Sequence, residues 1–139
     1  DPWFIVDSAN GKAKIIEQAR RTNDYKADWV MEKIKNAVLQ FEIKYNKKPT
    51  IACMGLAFKP DIDDLRESPA LYIAQKLNSF INIVCVEPNV KDLKKLDLVD
   101  VKTGLKSDIC IYLVAHKEFF KKNIKEFDLD FCGIDNSYN

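Results

Sequence analysis

From residue 12 to residue 48 the chain holds neither Gly nor Pro, and Pro49 closes the run. Ile16, Ala19, Val30, Ile34, Ala37, Val38, Phe41 and Tyr45 recur within it at helical spacing, which predicts an α-helix over 12–45. At about 1.5 Å per residue that helix is roughly 50 Å long, whereas a domain of this size has a radius of gyration of about 14 Å. One domain of its own cannot bury it. The helix either joins two domains or presents a face to a second copy of the chain. Two shorter helices with a bend at Asn23 also satisfy the pattern, and remain compatible with a dimer.

Beyond Pro49 the periodicity changes. The runs IACM, INIVCV and DICIYLV are continuously apolar rather than alternating, as in strands covered on both faces. Strands are predicted at 50–54, 82–86, 107–114 and 132–135, with a short one at 99–102. Helices are predicted at 69–80, 90–96 and 117–122. Strands alternating with helices give an α/β fold: a Rossmann-like, doubly wound parallel sheet of order 3-2-1-4-5, preceded by the long N-terminal helix. The expected division is a first segment over 1–48 that contains the long helix and a Rossmann-like domain over 49–139.

Ligands of such sheets lie beyond the carboxyl ends of the strands, where the strand order reverses. The loop after the first strand, 55–67, sits there and carries Lys59 and Arg66 among Asp61, Asp63, Asp64 and Glu67. Arg66 stands out because only three of the 22 basic residues are arginines. GxGxxG is absent; Gly55 is the single glycine after the first strand, so phosphate would be met by side chains. Lys59 offers a point charge and Arg66 a forked donor. The alternative is that both cations pair with neighbouring acids on a solvated loop.

Glu87, ending the second strand, occupies the place of a ribose-binding acid, but without the glycine fingerprint it reads as a strand-end or turn residue. His116, the single histidine, has no identifiable partner in the sequence and reads as structural. Ser68 followed by Pro69 reads as a helix N-cap. Cys53, Cys85, Cys110 and Cys132 are too far apart for a metal or redox pair and read as reduced core thiols.

With 139 residues and 47% apolar composition, the chain fits one globular domain. The net charge of +1 argues against broad affinity for nucleic acid or anionic membrane. There is no signal peptide and no apolar run of membrane-spanning length, so a cytoplasmic location is expected. The chain opens on Asp1 and WFIV without an initiator Met, and residues upstream are expected.

The stretch GLAFKPDIDDLRESPA, residues 55–70, resembles the signature of the nucleotide-sugar 6-dehydrogenases, the UDP-glucose/GDP-mannose dehydrogenase family. The opening DPWFIV and the segment Asn23, Asp24, Tyr25, Lys26 agree with it. DPWF together with IDDLRESPA is most similar to members that oxidise UDP-N-acetyl-D-mannosamine, with UDP-glucose and UDP-N-acetylglucosamine as alternative sugars. The resemblance implies a central dimer-building helix followed by the C-terminal, UDP-sugar-binding Rossmann-like domain. It also implies two NAD-dependent oxidations of a C6 alcohol to a carboxylate, through a cysteine-bound thiohemiacetal and thioester. On it, Asp1 matches the aspartate that orients the hydrolytic water or acts as base. Lys59 matches the lysine that reaches the sugar nucleotide, with Phe58 beside it, and Arg66 the arginine that faces the NAD pyrophosphate. NAD is then held mainly by a domain not represented in this chain, none of the four cysteines is the nucleophile, and no metal is required. The chain by itself is expected to be inactive, and the alternative to ligand binding is a dimerisation module whose useful surface is the long helix. The ending CGIDNSYN lacks the arginine that many members use to bind the sugar nucleotide of a neighbouring subunit.

Overall fold

Two apolar layers of different period meet in this fold, a long helix stripe and a parallel sheet. The computed structural model describes residues 10–91, 93–120 and 124–134, with side chains from residue 26 onward. Helix α1 runs unbroken over Asn10–Tyr45, so the bend at Asn23 is not taken. Its buried residues Ala27, Val30, Met31, Ile34 and Phe41 stand at relative positions 0, 3, 4, 7 and 14, which places them on one face. The helix packs on the sheet domain: Phe41 of that face meets Phe127 edge to face at 5.6 Å, and the half-exposed Trp29 meets Phe131 at 5.9 Å. Lys76 of the following helix reaches Asp28 at 3.3 Å. The opposite face leaves Leu39 and Ile43 exposed.

Strand β1 (Ile51–Met54) is fully buried and central, pairing in parallel with β2 (Val84–Val86) and with β3 (Ile109–Tyr112). β4 (Leu129–Asp130) adds to β3, giving the order β2-β1-β3-β4. Leu98 makes one parallel bridge to Cys85 on the free side of β2. The four strands follow the relative order expected for 2-1-4-5, and the place expected for the third strand, beside β2, holds this isolated bridge. Helix α2 (Pro69–Asn78) returns from β1 to β2 and buries Ala70, Ile73, Ala74 and Leu77.

Several predicted elements differ. The described residues of 90–96 are bend, turn and irregular chain rather than helix, and Lys95 adopts a left-handed φ of 75° that a helix does not tolerate. The strand predicted at 99–102 does not form because Asp100 caps a helix: its carboxylate accepts from the Thr103 amide at 2.7 Å, starting α3 (Val101–Leu105). Lys117–Phe119 form one 3-10 turn, and 121–123 lie outside the described residues. The last strand ends at Asp130 instead of running over 132–135. Asp130 Oδ1 accepts from the amides of Cys132, Gly133 and Ile134 at 2.8–3.2 Å and draws them into a turn.

The cysteines are free: Cys53, Cys85 and Cys110 are buried and Cys132 half-buried. Among the described residues no helix is long and apolar enough to cross a membrane, and no cluster of three His, Cys, Asp or Glu is placed to hold a metal.

Candidate functional site

The carboxyl ends of β1, β2 and β3 each lead into a loop, and one buried pair ties the three loops together. Gly55 leaves β1 with φ 98°, and a Cβ there would stand 2.7 Å from the Val114 Cβ, so only glycine permits this approach to the β3 exit. The Gly55 amide donates to the Val86 carbonyl at 2.8 Å. The next two amides, of Leu56 and Ala57, both donate to Glu87 Oε1 at 2.9 Å. Glu87 Oε2 accepts from the Asn89 amide at 3.0 Å.

His116 Nε2 stands 2.8 Å from Glu87 Oε1, and both side chains are fully enclosed. On the far edge of the ring the Asp61 amide donates to Nδ1 at 2.8 Å. An amide can only donate, so Nδ1 is the bare nitrogen and the ring proton sits on Nε2, pointing at Glu87. Burial opposes the charge on Glu87, but the hydrogen bonds from His116 and the Leu56 and Asn89 amides outweigh it and hold its carboxyl below the usual range. Asp61 Oδ1 in turn accepts from the Lys117 amide at 2.8 Å. At the far end of the loop, Ser68 Oγ donates to the Leu56 carbonyl at 2.6 Å and accepts from the Leu71 amide at 3.2 Å, capping α2 as the sequence implied.

The loop is therefore fastened at both ends and at its midpoint, and what remains outside is its tip. Phe58, Lys59 and Pro60 are exposed, and Lys59 Nζ hovers 5.9 Å from the centroid of the Phe58 ring. Phe58 lines an apolar pocket of about 240 Å³ with Lys26, Ala27 and Val30 of α1, Ile73 of α2 and Val114 after β3. Arg66 faces elsewhere, lining a groove of about 660 Å³ with Asp63, Asp64, Asn89, Val90 and Lys91. Its guanidinium is engaged from below: Nε and Nη2 donate to the two Asp64 oxygens at 3.0 and 3.1 Å. That fork holds the Asp64 carboxyl below its ordinary range. Arg66 is still 88% exposed, leaving its outer edge free for a second anion.

Phe58 thus lines one pocket, with Lys59 beside its ring, and Arg66 lines a second groove. Asp1 lies outside the described residues. A larger hollow, about 980 Å³, opens at the opposite edge of the sheet near Thr50, Phe80, Ile83 and Ser107. It holds none of the predicted site residues. The pairing of Glu87 with His116 is what sequence reasoning missed. The available signal was that INIVCV and DICIYLV are followed within two residues by Glu87 and His116, which a parallel sheet brings to the same edge.

The domain over residues 52–130 matches the UDP binding domain of the UDP-glucose/GDP-mannose dehydrogenase family. The chain belongs to that family. Among curated family proteins it is 48% identical, over 87% of its length, to the UDP-N-acetyl-D-mannosamine dehydrogenase of Campylobacter jejuni. It is 41% identical, again over 87%, to the NDP-N-acetyl-D-galactosaminuronic acid dehydrogenase of Ralstonia nicotianae. It spans about a third of these relatives' length, 31% and 29% respectively. In fold it superposes on the UDP-N-acetyl-mannosamine dehydrogenase of S. aureus with a TM-score of 0.69 at 24% identity, covering 99% of this chain and 37% of that one.

Proposed function

We propose that this chain is the nucleotide-sugar-binding part of an NAD-dependent nucleotide-sugar 6-dehydrogenase that oxidises UDP-N-acetyl-D-mannosamine to UDP-N-acetyl-D-mannosaminuronate for polysaccharide biosynthesis in the cytoplasm. The names of the curated relatives support the substrate, and the matched family model supports UDP as the part held here. The observation that carries the reading is the tip of loop 55–67: an exposed aromatic and an exposed lysine on a rigid mount, at the strand ends where α/β sheets bind ligands.

On this reading Phe58 offers a flat apolar surface to the nucleotide sugar and Lys59 neutralises its pyrophosphate. Arg66, pre-oriented by Asp64, turns its free edge towards the cofactor pyrophosphate across a cleft completed by a further domain. NAD, when bound, accepts a hydride in each of the two oxidations. Arg66 fits a cofactor phosphate, and the chain's lack of a glycine fingerprint fits a cofactor held mainly elsewhere. Asp1 orients or deprotonates the water that releases the product.

On this reading residues 1–48 are an active-site remnant and the central helix between the two halves, and residues 49–139 form the domain on the UDP side. The exposed pair Leu39 and Ile43, one turn apart on α1, supports a homodimer built on that helix. On this reading the nucleophilic thiolate comes from outside this chain. Cys53 is pushed well up by its hydrogen bond to Cys85 and by burial, Cys110 is raised by burial, and Cys132 is raised to about 12 by burial and Asp130.

Calorimetric titration of the chain with UDP tests the reading. Saturable heat is expected, with affinity falling at least about tenfold in Lys59→Ala through loss of a charge-assisted contact. Absence of binding by the parent chain would overturn it.

A further inference from the structure

A buried carboxylate and imidazole are costly to enclose unless every polar atom is used, and here each one faces the loop that bears Phe58 and Lys59. Glu87 grips the amides of residues 56 and 57, immediately before that tip. His116 grips the amide of residue 61, immediately after it. Asp61 holds a left-handed φ of 62°, sustained by two bonds to the β3 exit, one through its amide and one through its carboxylate.

We propose that Glu87 and His116 are positioning residues for the Phe58–Lys59 tip, and that His116 holds it in its binding geometry only as the neutral ring with the proton on Nε2. The proposal rests on the reading of that tip as the nucleotide-sugar contact. A second ring proton would set Nδ1–H against the Asp61 N–H, donor against donor, and that bond would be lost. Asn89 Nδ2, 3.4 Å from Nδ1, is a donor too. The acceptor within reach is the Asp61 carboxylate, with Oδ1 4.0 Å away. Protonation therefore exchanges the amide of Asp61 for its carboxylate at the ring and turns the peptide chain next to the tip.

The other groups facing the ring are the Glu87 carboxylate from the β2 exit and the Phe119 ring at 5.6 Å, with exposed Lys117 next in the chain.

Because the chain has a single histidine, ring-nitrogen NMR reads this site without overlap. At about pH 8 the ring should show a bare Nδ1 and a protonated Nε2. Affinity for UDP-N-acetyl-D-mannosamine, whose pyrophosphate keeps its charge over the range, is then followed from about pH 8 to about pH 5.5. It should fall in step with the ring's own titration.

His116→Gln keeps a donor for Glu87 but offers Asp61 no acceptor, and should bind about tenfold more weakly at every pH, without the acid limb. His116→Asn can present an acceptor near the Nδ1 position and should recover affinity at high pH, again without the limb. A proton on Nδ1, ring titration with no change in affinity, or parent-like binding and pH dependence in His116→Gln would each overturn the proposal. If the parent does not bind at about pH 8, the nucleotide-sugar reading itself fails. The clamp is then judged by the Asp61 amide, whose hydrogen exchange should accelerate at least about tenfold in His116→Gln and stays unchanged if no clamp exists.

Discussion

Glu87 and His116 meet at 2.8 Å with both side chains fully enclosed, whereas Asp64 and Arg66 meet at 3.0 Å with the arginine 88% exposed. Both pairs act on the same loop, yet their chemistry is divided between building and binding. The enclosed pair is committed: its oxygens and ring nitrogens are occupied by the amides of Leu56, Ala57, Asn89 and Asp61. The exposed pair is open, because water screens its attraction and one edge of the guanidinium stays available. Charge of the same kind thus anchors the loop where water is excluded and presents it to a ligand where water is admitted.

The largest effect that would break this contrast is on stability. Glu87→Ala should lower unfolding free energy by about 3 kcal/mol or more, since it strands two buried amides, the half-buried Asn89 amide and an imidazole N–H at once. Urea unfolding measures it, and a loss no greater than that of Asp64→Asn would erase the distinction. Next in size is the acid dependence. The folded carboxyl of Glu87 lies below its free value of 4.5, so its contribution is complete above that value and is lost as pH falls through the folded one. The gap in urea midpoint between the parent and Glu87→Gln should therefore close below about pH 4.5; a gap that stays constant would contradict the assignment. Smallest is Asp64→Asn, for which an unchanged midpoint is expected, because Arg66 and Asp64 stand in solvent. A clear loss of stability there would show that the exposed pair is structural as well.

Much of this division follows from residue patterns, and some of it cannot. The 36-residue helix is legible because its stretch lacks Gly and Pro and its apolar residues keep one face. The parallel sheet is legible because IACM, VCV and ICIY are apolar without alternation. The irregular margins are not, since single side chains decide them: Asp100 turns a would-be strand into α3, and Asp130 ends β4 early. In the site, Phe58, Lys59 and Arg66 stand out by motif and composition. The link between Glu87 and His116 is invisible to any local pattern, because 29 residues separate them and only the register of β2 and β3 on either side of β1 brings them together.

The central claim, that the tip of loop 55–67 is the nucleotide-sugar contact, is tested most directly by mapping UDP onto the chain through backbone amide shifts. The account predicts saturable shifts concentrated in residues 56–61, with Thr50, Phe80 and Ser107 at the opposite edge of the sheet unmoved. Shifts clustered at that opposite edge, with Phe58 and Lys59 silent, would contradict it.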